Sequence, residues 1–176
     1  NEGSAKPRFS RRFIESINLD LTPGEKSLAE AYREFRKKMR GLIKARSRNE
    51  QLSGNFAVEV LGKRLLSCPV AFADSWYRYL DGMKDEDTAD VSEVRRAEKV
   101  VREETGDDGE AESRYANAAR TVGSWLKNYA DNLNTEMEAV NRALGGLGLK
   151  NTRNDEGTYE GSPVNDCRFD AMISLI

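Results

Sequence analysis

The chain has 176 residues, 33% charged and 38% hydrophobic, with a formal net charge of −2 and no histidine. That size and balance fit one soluble, helix-rich domain with a real core, and no apolar run approaches the roughly 20 residues of a membrane span. Without histidine there is no Ser/His or Cys/His nucleophile pair, no HExxH zinc site and no zinc finger.

Residues 1–12 read as an extended basic lead-in. The opening NEGSAKPRFSRRF lacks the apolar core of a signal peptide, so a cytoplasmic location is expected. In residues 13–21, Ile17, Leu19 and Leu21 alternate with Asn18 and Asp20, the period of a half-buried strand. It is the only predicted strand, and a lone strand wants a neighbour.

Thr22 then caps a helix, with Pro23 at its first position and Glu25 spaced as in a capping box. The pattern predicts a helix to about Arg48, with Leu28, Tyr32, Phe35, Met39, Leu42 and Ile43 on one face. Residues 51–67 are apolar nearly all round, which predicts a central helix. Pro69 starts the next, with Phe72, Trp76, Tyr79 and Leu80 turned inward. Together, residues 13–83 form a strand plus a helical core.

Residues 84–110 read as an acidic linker around a short helix that Asp90 and Glu93 cap. Poor order is expected somewhere within it. Residues 111–144 predict one long, coiled-coil-like helix, with Tyr115, Val122, Trp125, Tyr129, Leu133, Val140 and Leu144 along its stripe. Gly145, Gly146 and Gly148 close that unit, and a polar loop follows over 149–162. Residues 163–176 begin a last helix with an apolar face at Phe169, Met172, Ile173 and Ile176. The fold expected is mainly α: a bundle of about five or six helices with a single N-terminal strand.

Charge is unevenly spread. Residues 1–48 hold 13 Lys and Arg against 6 Asp and Glu, whereas residues 81–113 hold 5 against 13. A basic first quarter can attract a polyanion. The candidate phosphate contacts are Arg36, Lys37, Arg40, Lys44, Arg46, Arg48, Lys63 and Arg64. No GxxxxGK[ST] or GxGxxG pattern is present. The acidic groups Asp85, Glu86, Asp87, Asp107 and Asp108 read as solvated linker rather than a cation site, and Trp76 and Trp125 as core rather than base-stacking platforms. Cys68 and Cys167 stand far apart and read as incidental thiols. No residue set marks catalysis, a metal or a cofactor in this chain.

Three stretches in order resemble the middle of a Swi/Snf-type helicase-like ATPase of the bacterial, RapA-like branch. INLDLTPGEKSLAEAY is similar to the family's strand and helix start after the first RecA-like lobe, through Thr22, Pro23, Glu25 and Tyr32. LGKRLLSCPVAFADSW resembles a second signature, with Lys63, Arg64, Leu65, Ser67, Pro69 and Phe72 matching and Cys68 in place of a serine. NDCRFDAMISLI is similar to the approach to the second lobe, through Asp166, Arg168 and Phe169. Residues 84–163 match in character only.

The resemblance implies a helical insertion and linker between two RecA-like lobes of a motor that acts on double-stranded nucleic acid. ATP, magnesium and the hydrolysis itself would belong to the parent protein, because the nucleotide-binding and arginine-finger motifs are not in this chain. The strand at 13–21 and the apolar face near 169–176 would then meet the two lobes, or a second copy in a homodimer. The alternative is a stand-alone helical interaction module that uses Val122, Tyr129, Leu133 and Val140 as knobs for a partner protein.

Overall fold

The computed structural model describes residue 16 and residues 18–103, 106–152 and 166–174. Helices dominate, as the periodicity requires. The predicted strand lies partly outside the described residues; residues 16 and 18–21 carry no regular element, and Leu19 is exposed.

Helix α1 spans Pro23–Ile43. Its capping box forms as read: the Glu25 N–H donates to Thr22 Oγ1 at 3.2 Å, and the Thr22 N–H donates to Glu25 Oε2 at 2.9 Å. Leu28, Tyr32, Phe35, Met39 and Ile43 are all buried on one face. The helix stops five residues short of the expected Arg48 because Ser47 and Glu50 build a second capping box. Gln51 closes the corner, donating from Nε2 to the carbonyls of Lys44 and Arg46 at 3.2 and 2.9 Å. Arg48 therefore opens α2 (Arg48–Ser67) instead of ending α1.

Helix α2 is central, touching α1, α3, α4 and α5, which is why it is apolar nearly all round. It runs antiparallel to α1: Gly54 meets Ile43 and Met39, while Gly62 meets Tyr32. An extended residue, Cys68, kinks the chain into α3 (Pro69–Gly82) and accepts the Ala71 N–H at its sulfur, 3.3 Å away. Helix α3 carries the aromatic heart. The Trp76 ring lies edge-on to Phe35 at 5.2 Å and stacks with Phe72 and Tyr79 at 5.9 and 5.7 Å.

Helix α4 (Val91–Arg102) starts at the expected Asp90–Glu93 box and buries Val94. The acidic stretch before it keeps Glu86 and Asp87 exposed but is pinned to its neighbour at several points. Arg120 grips the Asp85 carboxylate through two bonds of 3.0 and 2.6 Å, and Lys127 Nζ donates to the Asp85 carbonyl at 2.9 Å. The Ser124 hydroxyl both accepts the Ala89 N–H and donates to the Asp87 carbonyl.

The expected long helix is interrupted. Helix α5 covers Asp108–Leu126, a 3-10 turn covers Lys127–Tyr129, and α6 covers Ala130–Gly146. The backbone leaves helical values at Tyr129 (φ −116°, ψ 3°), and Asn128 Nδ2 donates to the Trp125 carbonyl at 3.2 Å. The reason lies in the packing: α5 lies against α3 and α4, whereas α6 lies against α1. One apolar stripe serves two sets of neighbours only if the chain turns between them. The proposed knobs Val122, Tyr129, Leu133 and Val140 are consequently buried within this chain.

Gly148 ends α6 in the left-handed region (φ 78°), and the Leu149 N–H returns to the Leu144 carbonyl at 2.9 Å. Gly145 and Gly146 remain inside the helix. Leu149 is buried, and its carbonyl accepts the Tyr77 hydroxyl at 2.6 Å. The last described helix, α7, is short: Cys167–Ile173.

Candidate nucleic-acid interface

The apolar face of α1 sends its basic residues to the opposite side. Arg33, Arg36, Lys37 and Arg40 are exposed, as is Lys44 just past the helix end. Where α1 lies along α2, these residues edge a groove of about 500 Å³. Its walls are Arg33, Arg36 and Arg40 from α1, and Glu59 and Lys63 from α2; Val58 and Leu65 lie between them. Leu66, also lining the groove, is 79% exposed.

The cations here are available to an outside anion. Arg33 and Lys37 lean on Glu34 at 3.5 and 3.6 Å, all three side chains being largely exposed, and such contacts are worth little in water. Among the described residues, Arg36, Arg40 and Lys63 have no carboxylate within ion-pair distance. Beneath them Tyr32 is fixed, its hydroxyl donating to the Val58 carbonyl. Burial pushes the Tyr32 phenol up, against the pull of Arg36 and Arg40, so the groove floor stays neutral.

The remaining candidates separate. Arg46 and Arg48 lie at the α1–α2 corner, with the Arg46 guanidinium 5.8 Å from the centre of the Tyr129 ring. Arg64 faces elsewhere. It donates to Ser75 Oγ at 3.2 Å, pairs with Glu112 and covers the Tyr115 ring at 5.5 Å. It ties α2 to α3 and α5 and does not line the groove that Lys63 lines. The spacing signal fails there because Lys63 and Arg64, adjacent on a helix, point about 100° apart. Trp76 and Trp125 are buried against other aromatics and present no face to a base.

A second polar cluster lies at the first turn of α1. Glu25 is 4% exposed, yet its Oε1 accepts from Arg168 Nη1 at 3.0 Å and from Cys167 Sγ at 3.4 Å. Desolvation lifts the Glu25 carboxyl, but the Thr22 N–H and hydroxyl, Cys167 and Arg168 outweigh it and hold the group below its ordinary value. Burial and the Glu25 charge push the Cys167 thiol up. Oxygen and sulfur atoms of Glu25, Asp166 and Cys167 fall within 4.8 Å of one another, and the Arg168 guanidinium supplies the positive charge among them. The sequence shows the Thr22–Glu25 half of this cluster; the other half is 143 residues away, beyond any local pattern.

No family model, curated protein or solved structure matches the chain. No described helix is long and apolar enough to cross a membrane.

Proposed function

We propose that the chain is a non-catalytic helical insertion between the two RecA-like lobes of a DNA-dependent, ATP-hydrolysing translocase, and that its α1–α2 groove holds a nucleic-acid backbone. The observation that carries this reading is the set of exposed cations Arg33, Arg36, Arg40 and Lys63 along the groove, with Lys37 and Lys44 exposed on or just past α1 and Arg46 and Arg48 exposed at the α1–α2 corner. Guanidinium and ammonium groups spaced along a groove suit successive phosphates, and they carry no base code. The three motif resemblances supply the translocase half of the reading. ATP and magnesium would be handled by the lobes, with these helices bracing them.

The test is fluorescence anisotropy with a labelled duplex at low and raised salt. With about four phosphates neutralised, affinity falls roughly 100-fold over a fourfold rise in salt. It changes little with duplex sequence. The triple reversal Arg36→Glu, Arg40→Glu and Lys63→Glu abolishes binding while leaving the helical circular dichroism intact. Absence of binding at low salt, or full binding by the triple variant, removes the nucleic-acid role.

A further inference from the structure

Helix α7 is held to the bundle without apolar burial. None of its residues is buried, and Phe169, Met172 and Ile173 are 63%, 65% and 56% exposed. It makes no extended contact with another described helix. A seven-residue helix does not persist in water unaided. Among the described residues, what ties it down is its first turn, where Arg168 and Cys167 reach the Glu25 carboxylate. The Glu25 side chain is 3% exposed and that of Arg168 27%. Asp166, 3.5 Å from the Arg168 guanidinium, is the other carboxylate in the cluster.

The two Glu25 oxygens divide the work. Oε2 accepts the Thr22 N–H and closes the α1 cap; Oε1 takes Arg168 and Cys167. One buried carboxylate thus joins the chain arriving at 18–22 to the chain departing at 166–174. The end of α6 meets the same corner, since Gly24 packs against Leu147. A helix gripped by many apolar side chains loosens gradually as they are lost. One gripped by a single buried ion pair releases when that pair breaks, because a lone buried charge is strongly unfavourable.

We propose that the Glu25–Arg168 pair is a latch. Closed, it holds α7 against the first turn of α1. Open, it frees α7 as a unit while α1 to α6 stay folded. The inference does not depend on the nucleic-acid reading; under that reading, this corner is where the two flanking lobes would meet the bundle.

The test uses the full chain carrying Cys68→Ser, which retains an oxygen acceptor for the Ala71 N–H and leaves Cys167 as the single thiol. Two readouts are taken: alkylation rate of Cys167, and hydrogen exchange of the α7 amides, including Asp170 and Ser174, which bond to the Asp166 and Asp170 carbonyls. Arg168→Ala raises both rates at least about tenfold with the melting transition of the bundle retained, and Arg168→Lys raises them less. Thr22→Ala speeds exchange in the first turn of α1 but leaves α7 protected. Unchanged rates in Arg168→Ala overturn the latch. So do parent α7 amides already exchanging at the unstructured rate, or loss of the whole bundle's transition in Arg168→Ala.

Discussion

Glu25 is the side chain on which most depends at the scale of single residues. Its carboxyl is held below the ordinary value of 4.5, so the folded state prefers it ionised. A lowered folded pKa gives stability that is fully present above the unfolded value and is lost as pH falls through the folded one. Glu25→Gln therefore costs on the order of 2 kcal/mol at neutral pH, the worth of its charged hydrogen bonds. The gap between variant and parent narrows as pH drops below about 4.5. Urea midpoints taken from neutral pH down through the carboxylate range read this directly; a gap that stays constant would show that the charge contributes nothing. The sequence makes the capping role of Glu25 legible, because Thr22, Pro23 and Glu25 are neighbours. It leaves the Arg168 contact hidden, because no spacing rule reaches across the bundle.

At the scale of elements, the crossing of α3 and α5 is the tightest contact. A methyl group at Gly123 would lie 1.9 Å from the Tyr79 carbonyl oxygen, and one at Gly82 would lie 2.0 Å from that of Arg120. Both obstacles are backbone, so neither can swing aside. Gly123→Ala forces the helices apart and costs about 3 kcal/mol or more. Gly41 and Gly145 also lie inside helices, but nothing stands within 4 Å of a methyl added there. Gly41→Ala and Gly145→Ala each stabilise by roughly 0.5–1 kcal/mol through helix propensity alone. Denaturant unfolding of the three variants separates the two classes, and equal effects would refute the crossing. Sequence alone does not sort these glycines, since all four sit in helical patterns. Caps are the opposite case: Thr22, Ser47 and Asp90 each stand three residues before a glutamate, and each starts a helix. The break at Lys127–Tyr129 has no glycine or proline to announce it, so periodicity ran through it.

Taken as a whole, the molecule was legible where one face decides one neighbour. The stripe of α1 and the all-round apolarity of α2 predicted their burial and their central place. The groove was half legible: Arg36, Arg40 and Lys63 could be named from charge, but the turn of Arg64 toward Glu112 and Tyr115 of α5 could not. The acidic segment was half legible: Glu86 and Asp87 are exposed as read, but its attachment to Arg120, Ser124 and Lys127, more than 30 residues on, has no local signal. Long-range closure of this kind makes folding a property of the entire chain. A chain ending at residue 129 would lack α6, the helix that lies along α1. It should show no cooperative thermal transition, and a sharp one would mean that α1 to α5 suffice.

The return of α6 to α1 also sets a schedule for birth at the ribosome. The helix that shields the neighbourhood of Leu28 follows it about a hundred residues later, and Leu149 reaches Tyr77 later still. At roughly 5–20 residues per second, the nascent polypeptide carries an unfinished oily surface for several seconds. That interval is when aggregation competes with folding, and slow codons placed before the α6 stretch would prolong the exposure.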